Sequence, residues 1–439
     1  MQRKLVSWFI ALAALVLFGG TAMADQKFIA HLDSRQEVPS TASTGDGVCV
    51  ITLNNAETSI GVSCTYRGLT SNLQADHIHA NAAPGVNAGI LFGFGATGGP
   101  TGSFTAGPFA VTPAQVANMR AHLWYVNLHT VNFPGGEIRG QVKQANTIFD
   151  LDGDGRTDIT VFRQATNLFY TLQSLTNTLE STSHGSGAGD NWLNITGDFD
   201  GDGRGDPLIL KVEAVTNILV WVVLQTRTAT IRTVRWGNLG GATPDNIAPA
   251  DYDGDGIQDI GVFRRSEGVW YILESSTGNQ RVVPWGAVGD QACVGDYDGD
   301  GTADLTAVRT EGGQRVFYIR QSSTGVLRVV PWGASTDGFF FFAPVDVDGD
   351  GKQDITVLRA VAGQRVFLIL RSSDNQPVQI THGTTTAPSD LFLVGDYDGD
   401  GKTDFVARRI VSGQLVWFIL QSSNGQIRTV QWGASPGDQ

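Results

Sequence analysis

Residues 295–309 read GDYDGDGTADLTAVR. From Asp296 the stretch places aspartate at positions 1, 3, 5 and 9 of a nine-residue loop and glycine at positions 4 and 6. A run of β-branched and apolar residues follows, which reads as a strand. The same loop starts at Asp150, Asp198, Asp251, Asp296, Asp346 and Asp396, at intervals of 45 to 53 residues. A repeat of that length is one supersecondary unit stacked many times.

Each unit keeps one order. A short apolar strand enters the loop, and a second strand leaves it, as in ITVFR (159–163) and ITVLR (355–359). A third is aromatic, as in LVWFILQ (415–421), and a turn such as Ser423-Asn424-Gly425 leads to a fourth. The fourth ends at Trp236-Gly237, Trp285-Gly286, Trp332-Gly333 or Trp432-Gly433, with His184-Gly185 and His382-Gly383 as variants. Four strands per unit in six units predict a β-propeller of six blades rather than seven over 147–439.

Residues 27–143 lack the loop. They alternate strands with glycine-rich turns, which predicts a Greek-key, immunoglobulin-like β-sandwich. The chain is therefore read as all-β, with no amphipathic helix. Cys49 and Cys64 fall opposite each other in a hairpin centred between Ala56 and Glu57, with Ile51 opposite Val62 and Leu53 opposite Ile60. All six share a face, and a disulfide between the cysteines is expected. Cys293 is expected to be a buried strand residue.

Residues 1–24 carry Arg3 and Lys4, an apolar run from Leu5 to Phe18 and the small-x-small site Ala22-Met23-Ala24. This is the pattern of a cleaved secretory leader, so the protein is expected to be secreted, periplasmic or at the cell surface, with no membrane span. The formal net charge is −13. An acidic chain excludes nucleic acid and anionic membranes as partners.

Calcium takes about six to eight oxygen ligands in flexible geometry. Each loop offers four carboxylates: Asp150, Asp152, Asp154 and Asp158; Asp198, Asp200, Asp202 and Asp206; Asp251, Asp253, Asp255 and Asp259; Asp296, Asp298, Asp300 and Asp304; Asp346, Asp348, Asp350 and Asp354; Asp396, Asp398, Asp400 and Asp404. Together they make up more than half of the 43 acidic residues. Position 7 serves through its carbonyl, leaving its side chain unconstrained. The glutamate that closes an EF-hand at position 12 is absent. These are strand-loop-strand sites for up to six Ca²⁺, against the plainer reading of Asx-turns without metal. Position 14 is basic throughout: Arg163, Lys211, Arg264, Arg309, Arg359 and Arg409. Pairing with carboxylates inside each blade is favoured there over a ring of charge for an acidic ligand. Trp221, Trp270 and Trp417 read as blade packing. In Arg204-Gly205-Asp206 the carboxylate is already committed to a loop, so the tripeptide is not read as an adhesion signal.

His77 and His79 share a strand face and His129 lies on another strand, which makes them the candidate transition-metal ligands, against a bland role bonding backbone. No nucleophile elbow, zinc-protease helix or phosphate loop is present, so the chain is not read as an enzyme. The alternative is a metal-dependent activity at these histidines, or a lyase or hydrolase on the propeller.

The N-terminal pieces resemble the CHRD domain through Gln36-Glu37-Val38-Pro39, His77-Ile78-His79, Tyr125–Thr130 and Pro134–Gln141. That resemblance implies an immunoglobulin-like fold and no agreed activity. The C-terminal units resemble the FG-GAP or VCBS repeats of integrin-α-type propellers. This resemblance implies calcium-dependent blades and a role in adhesion or in binding a protein or polysaccharide ligand.

Overall fold

A computed structural model describes residues 26–438 apart from residues 35, 55, 83–84, 121, 145–147, 154, 175, 185–195, 203, 300, 341–344, 387–389 and 436. The leader, Gly185, and the loop positions Asp154 and Asp300 lie outside the described residues. No described helix is long and apolar enough to cross a membrane.

The first domain is built from β1 (Gln26–Asp33), β2 (Asp46–Leu53), β3 (Ser59–Arg67), β4 (Leu73–Ala80), β5 (Ile90–Gly93), β6 (Gly102–Ala110), α1 (Pro113–Arg120), β7 (Trp124–Thr130), β8 (Ile138–Gln141) and β9 (Lys143–Gln144). Its hydrogen-bonded order is β5-β4-β7-β8-β1-β2-β3-β6, with β9 pairing β1. The expected layers are therefore continuous through β8 and β1, and the sheet wraps one core into a nearly closed barrel. The pairing Cys49↔Cys64, Ile51↔Val62 and Leu53↔Ile60 is the expected hairpin register. All six are buried in the core with Phe28, Ile78, Trp124, Val126 and Leu128, and the two cysteines are joined as a disulfide.

The sequence reading missed α1. Thr112 Oγ1 accepts from the Gln115 amide at 3.3 Å, and Gln115 Oε1 accepts from the Thr112 amide at 2.8 Å. This is a capping box with Pro113 at the first helical position. The helix buries only Val116 and Met119, so it carries no amphipathic stripe.

The remaining strands form six separate antiparallel sheets. Three contain four strands: Asn246–Ile247 to Gln280–Pro284, Gln291–Ala292 to Leu327–Ala334, and Leu391–Gly395 to Ile427–Ala434. The other three show three strands among the described residues. There the expected entering strand falls partly outside the described residues, and single bridges such as Gly197↔Asp206 and Gly338↔Leu358 flank it.

Three sets of bonds join neighbouring blades, and each set closes from the last blade to the first. The position-8 amide of every loop donates to the position-1 carbonyl of the loop before it, at 2.6 to 2.8 Å. The series runs Gly205 to Asp150, Gln258 to Asp198, Ala303 to Asp251, Gln353 to Asp296 and Thr403 to Asp346, and Thr157 to Asp396 completes it. This cyclic ladder of six makes the array a closed six-bladed propeller with the aspartate loops packed side by side.

The strand-end markers supply the second set. Trp236, Trp332 and Trp432 Nε1 donate to the Tyr271, Leu368 and Tyr170 carbonyls of the following blade at 3.0 Å. His184 and His382 Nε2 do the same to Val222 at 2.7 Å and Phe418 at 2.8 Å. An imidazole N–H thus substitutes for an indole N–H. Trp285 Nε1 is the exception, buried with no acceptor among the described residues.

The third set corrects the sequence reading of position 14. Arg264, Arg309, Arg359 and Arg409 pair at 2.6 to 3.2 Å with Asp245, Asp290, Asp337 and Asp390. Those partners sit in the connector before each blade rather than inside it. Each also accepts an amide from the end of the preceding blade, as Asp390 does from Thr384 at 2.6 Å and Asp290 from Ala287 at 2.7 Å. Asp438 repeats the clamp between Ala434 and Arg163, joining the sixth blade to the first.

Candidate metal centres

Position 1 of each loop is a turn-forming carboxylate. Asp296 Oδ1 accepts from Gly299 N at 2.6 Å and Oδ2 from Gly301 N at 2.7 Å. The same pair of bonds is made by Asp150, Asp251, Asp346 and Asp396. Gly299 has φ 83° and Gly301 φ 82°, a left-handed conformation that glycine alone adopts without strain.

Position 9 clasps the loop onto its blade. Asp304 Oδ2 accepts from Tyr297 N at 2.9 Å and Oδ1 from Ser322 N at 2.7 Å. Asp206, Asp259, Asp354 and Asp404 are held likewise, by Thr226, Ser275, Ser372 and Ser422 on the far turn. In four blades the next serine bonds position 3: Ser276 to Asp253, Ser323 to Asp298, Ser373 to Asp348 and Ser423 to Asp398. The sequence reading passed over these serine pairs, although they recur at 275–276, 322–323, 372–373 and 422–423.

In three loops the hydrogen bonding runs out at position 3. Oδ1 of Asp200, Asp348 and Asp398 is buried with no donor among the described residues. Carboxylate oxygens from positions 1, 3 and 9 lie within 4.8 Å of one another in loops 1, 2 and 4, and those from positions 1, 3 and 5 do so in loop 3. Burial, reinforced by the neighbouring carboxylates, pushes Asp158, Asp206 and Asp304 up to about 8. Burial likewise lifts Asp396 to about 8, Asp251 and Asp354 to about 7, and Asp259 and Asp404 to about 6.

Position 7 is more constrained than the sequence reading allowed. Its side chain covers the position-4 glycine of the loop before it. A Cβ on Gly299 would stand 2.9 Å from Lys352, and one on Gly399 would stand 2.8 Å from Arg156. Asp206 is fully buried, so the Arg-Gly-Asp carboxylate is inaccessible. Trp221, Trp270 and Trp417 are buried in their blades and donate to the Trp236, Trp285 and Trp432 carbonyls. Cys293 is buried against Tyr297 Oη at 3.1 Å, and burial pushes its thiol up to about 12.

Loop 1 differs from the others. Lys143 Nζ, from β9, lies 2.6 Å from Asp150 Oδ2, with both side chains nearly buried. His122 is buried beside Gly155, and burial lowers it to about 4. Arg227, whose amide donates to Asp200, pairs with Asp46 at 3.1 Å. Arg120 reaches the Asp350 carbonyl at 3.4 Å. The first domain thus rests on the loop-bearing face of the propeller.

The other cluster lies on the non-core face of β4, β7 and β8. The register sets Ala75 opposite His129, His77 opposite Asn127 and His79 opposite Tyr125, while Asn127 faces Arg139 and Tyr125 faces Gln141. His77, His79 and His129 therefore share one surface. His77 Nδ1 is 3.2 Å from His129 Nε2. His79 stacks on Tyr125 at 4.5 Å, and the Arg139 guanidinium lies 3.4 Å from the centre of that ring. Glu37 bonds Asn127 at 3.4 Å, and burial raises its carboxyl to about 7. Burial also lowers all three histidines. Four separated sequence motifs thus meet on one polar face.

Comparison with known families finds a CHRD domain over residues 28–142 and an FG-GAP-like repeat over residues 296–357. No curated protein matches the chain. Among solved structures the chain is similar to TolB from Acinetobacter baumannii at 11% identity, covering 87% of this chain and 78% of that one with a TM-score of 0.42. It is similar to the Dos1 propeller at 8% identity, covering 71% and 82% with a TM-score of 0.33. A putative 6-phosphogluconolactonase from Bacteroides uniformis is 10% identical, covering 72% and 95% with a TM-score of 0.36. The ring assignment rests on its own cyclic bonding, not on these distant likenesses.

Proposed function

We propose that the protein is an exported calcium-binding module whose propeller presents a surface to a protein or polysaccharide ligand, in adhesion or ligand capture. The observation that carries the calcium reading is the buried Oδ1 of Asp200, Asp348 and Asp398, with no donor among the described residues, beside further carboxylates. An Asx-turn accounts for position 1 and a serine clasp for position 9, but neither supplies a positive charge to position 3. Buried acceptors without partners are costly. An oxygen-seeking divalent cation answers that deficit, and calcium tolerates the irregular loop geometry. Positions 1, 3, 5 and 9 and the position-7 carbonyl would hold it. Loop 1 is the weakest of the six under this reading, because the Lys143 ammonium already neutralises Asp150. Export rests on the leader pattern of residues 1–24, and ligand binding on the FG-GAP-like repeat.

Calorimetric titration of the metal-free chain with Ca²⁺ tests the first part, with five strong sites and one weaker site expected. Heats indistinguishable from dilution would overturn it. A glycan and protein array read with calcium and again with chelator tests the second part: the expected ligand is held only in calcium.

A further inference from the structure

Two of the three clustered histidines have their tautomer fixed by backbone. His79 Nδ1 lies 2.9 Å from the Ala88 carbonyl and His129 Nδ1 lies 3.0 Å from the Pro134 carbonyl. A carbonyl only accepts, so each Nδ1 carries the proton and each Nε2 presents a lone pair. This is the outer-shell arrangement that orients metal-ligating imidazoles. His79 Nε2 is buried and has no partner among the described residues, and His79 itself is only 8% exposed. Stacking on Tyr125 holds its ring in plane.

The spacing fits one ion. Two nitrogens bound at about 2.0–2.1 Å to a tetrahedral centre stand about 3.3 Å apart, and His77 Nδ1 and His129 Nε2 are 3.2 Å apart. One ligand atom from each of the three rings falls within 4.8 Å of the others. No described cysteine, aspartate or glutamate joins the group.

We propose that His77, His79 and His129 form a three-imidazole site for a divalent transition-metal ion, Zn²⁺ above all, with a fourth position open to water or an exogenous ligand. Three neutral nitrogens and no carboxylate select such an ion over calcium. The hydrogen that bridges His77 and His129 without metal moves to the other nitrogen of His77 when the ion enters, so binding releases no proton. The site is independent of the aspartate loops and of the function proposed for them.

The test uses the full chain loaded with Zn²⁺, then dialysed against excess Ca²⁺ so that the loops are filled. One retained zinc per chain is expected. Co²⁺ in its place should give the intense visible bands of a four-coordinate ion. His79→Gln and His129→Gln should each lower zinc affinity by more than the about 10–100-fold that loss of an outer-shell partner costs. On the unmutated chain, zinc should protect the half-exposed His77 and His129 from diethyl pyrocarbonate, read by peptide mass. This arm stands even where a variant fails to fold. No retained zinc, retention unchanged in both folded variants, or modification of His77 and His129 unaffected by zinc would each overturn the site.

Discussion

Asp398 has one oxygen bonded to Ser423 and another buried with no donor among the described residues. The two readings of the loops predict opposite outcomes for Asp398→Asn. If the loop holds calcium, the variant loses stabilisation only when the ion is present. With Kd near about 10⁻⁴ M and roughly 1 mM Ca²⁺, that loss is about 1.4 kcal/mol. In chelator the variant should melt at or above the parent, since a repelling charge is gone. Equal destabilisation with and without calcium would make the loop a turn and nothing more. Titration gives a second check. Asp158, Asp206, Asp304 and Asp396 have folded values near 8 against an ordinary 3.8. Between those values the folded, metal-free chain holds protons that the unfolded chain has lost. These four groups therefore favour the folded chain most near pH 4, and their contribution falls as pH rises to about 8. Added calcium should raise the melting temperature more at pH 8 than at pH 5. A calcium effect that shrinks with rising pH would contradict the assignment.

At the scale of strands and turns, much was legible in the sequence. The hairpin register followed from side-chain alternation through Cys49 and Cys64, and the aromatic strands from their spacing. What escaped was whatever depends on partners distant in sequence. Asp245, Asp290, Asp337 and Asp390 looked like ordinary connector residues because their arginines lie 19 to 22 residues on. Beyond the turn at Ser423-Asn424-Gly425 the serine pairs went unread, because nothing local shows that the turn folds back over the loop. The capping box of α1 was visible, but a search for an apolar stripe passes it by. At the histidines the shared face of His77 and His79 was readable, whereas their meeting with His129 needed the β4–β7 register. The markers supply a graded test. Trp332→Phe strands a carbonyl acceptor, whereas Trp285→Phe removes a donor that has no acceptor among the described residues. Trp332→Phe should therefore cost about 1 kcal/mol more, and equal losses in urea melts would deny the inter-blade bond its role.

Over the whole molecule, the two domains meet at the loop face, and Lys143 is the contact with most consequence for ion binding. Lys143→Gln should strengthen calcium binding at loop 1 and bring the weakest step of a titration isotherm toward the rest. An unchanged isotherm would show that Lys143 does not compete. Chelation should lower the propeller's melting temperature by an amount several times that lost through Asp398→Asn, because every filled loop contributes.

The clamp between Asp438 and Arg163 makes the last blade interface the same in kind as those inside the array. An open stack of repeats has ends, and ends fray: a terminal unit can peel away by giving up one neighbour. Here every blade has two neighbours, so releasing any one breaks two interfaces. The six should therefore come apart together, and their slowest-exchanging amides should share a single opening free energy. Asp438→Ala removes one of the three bonds that close the circle and so weakens the interface between blades 1 and 6 alone. Amide exchange should then quicken first in blades 1 and 6 and stay slow in blades 3 and 4, a gradient that the closed ring lacks.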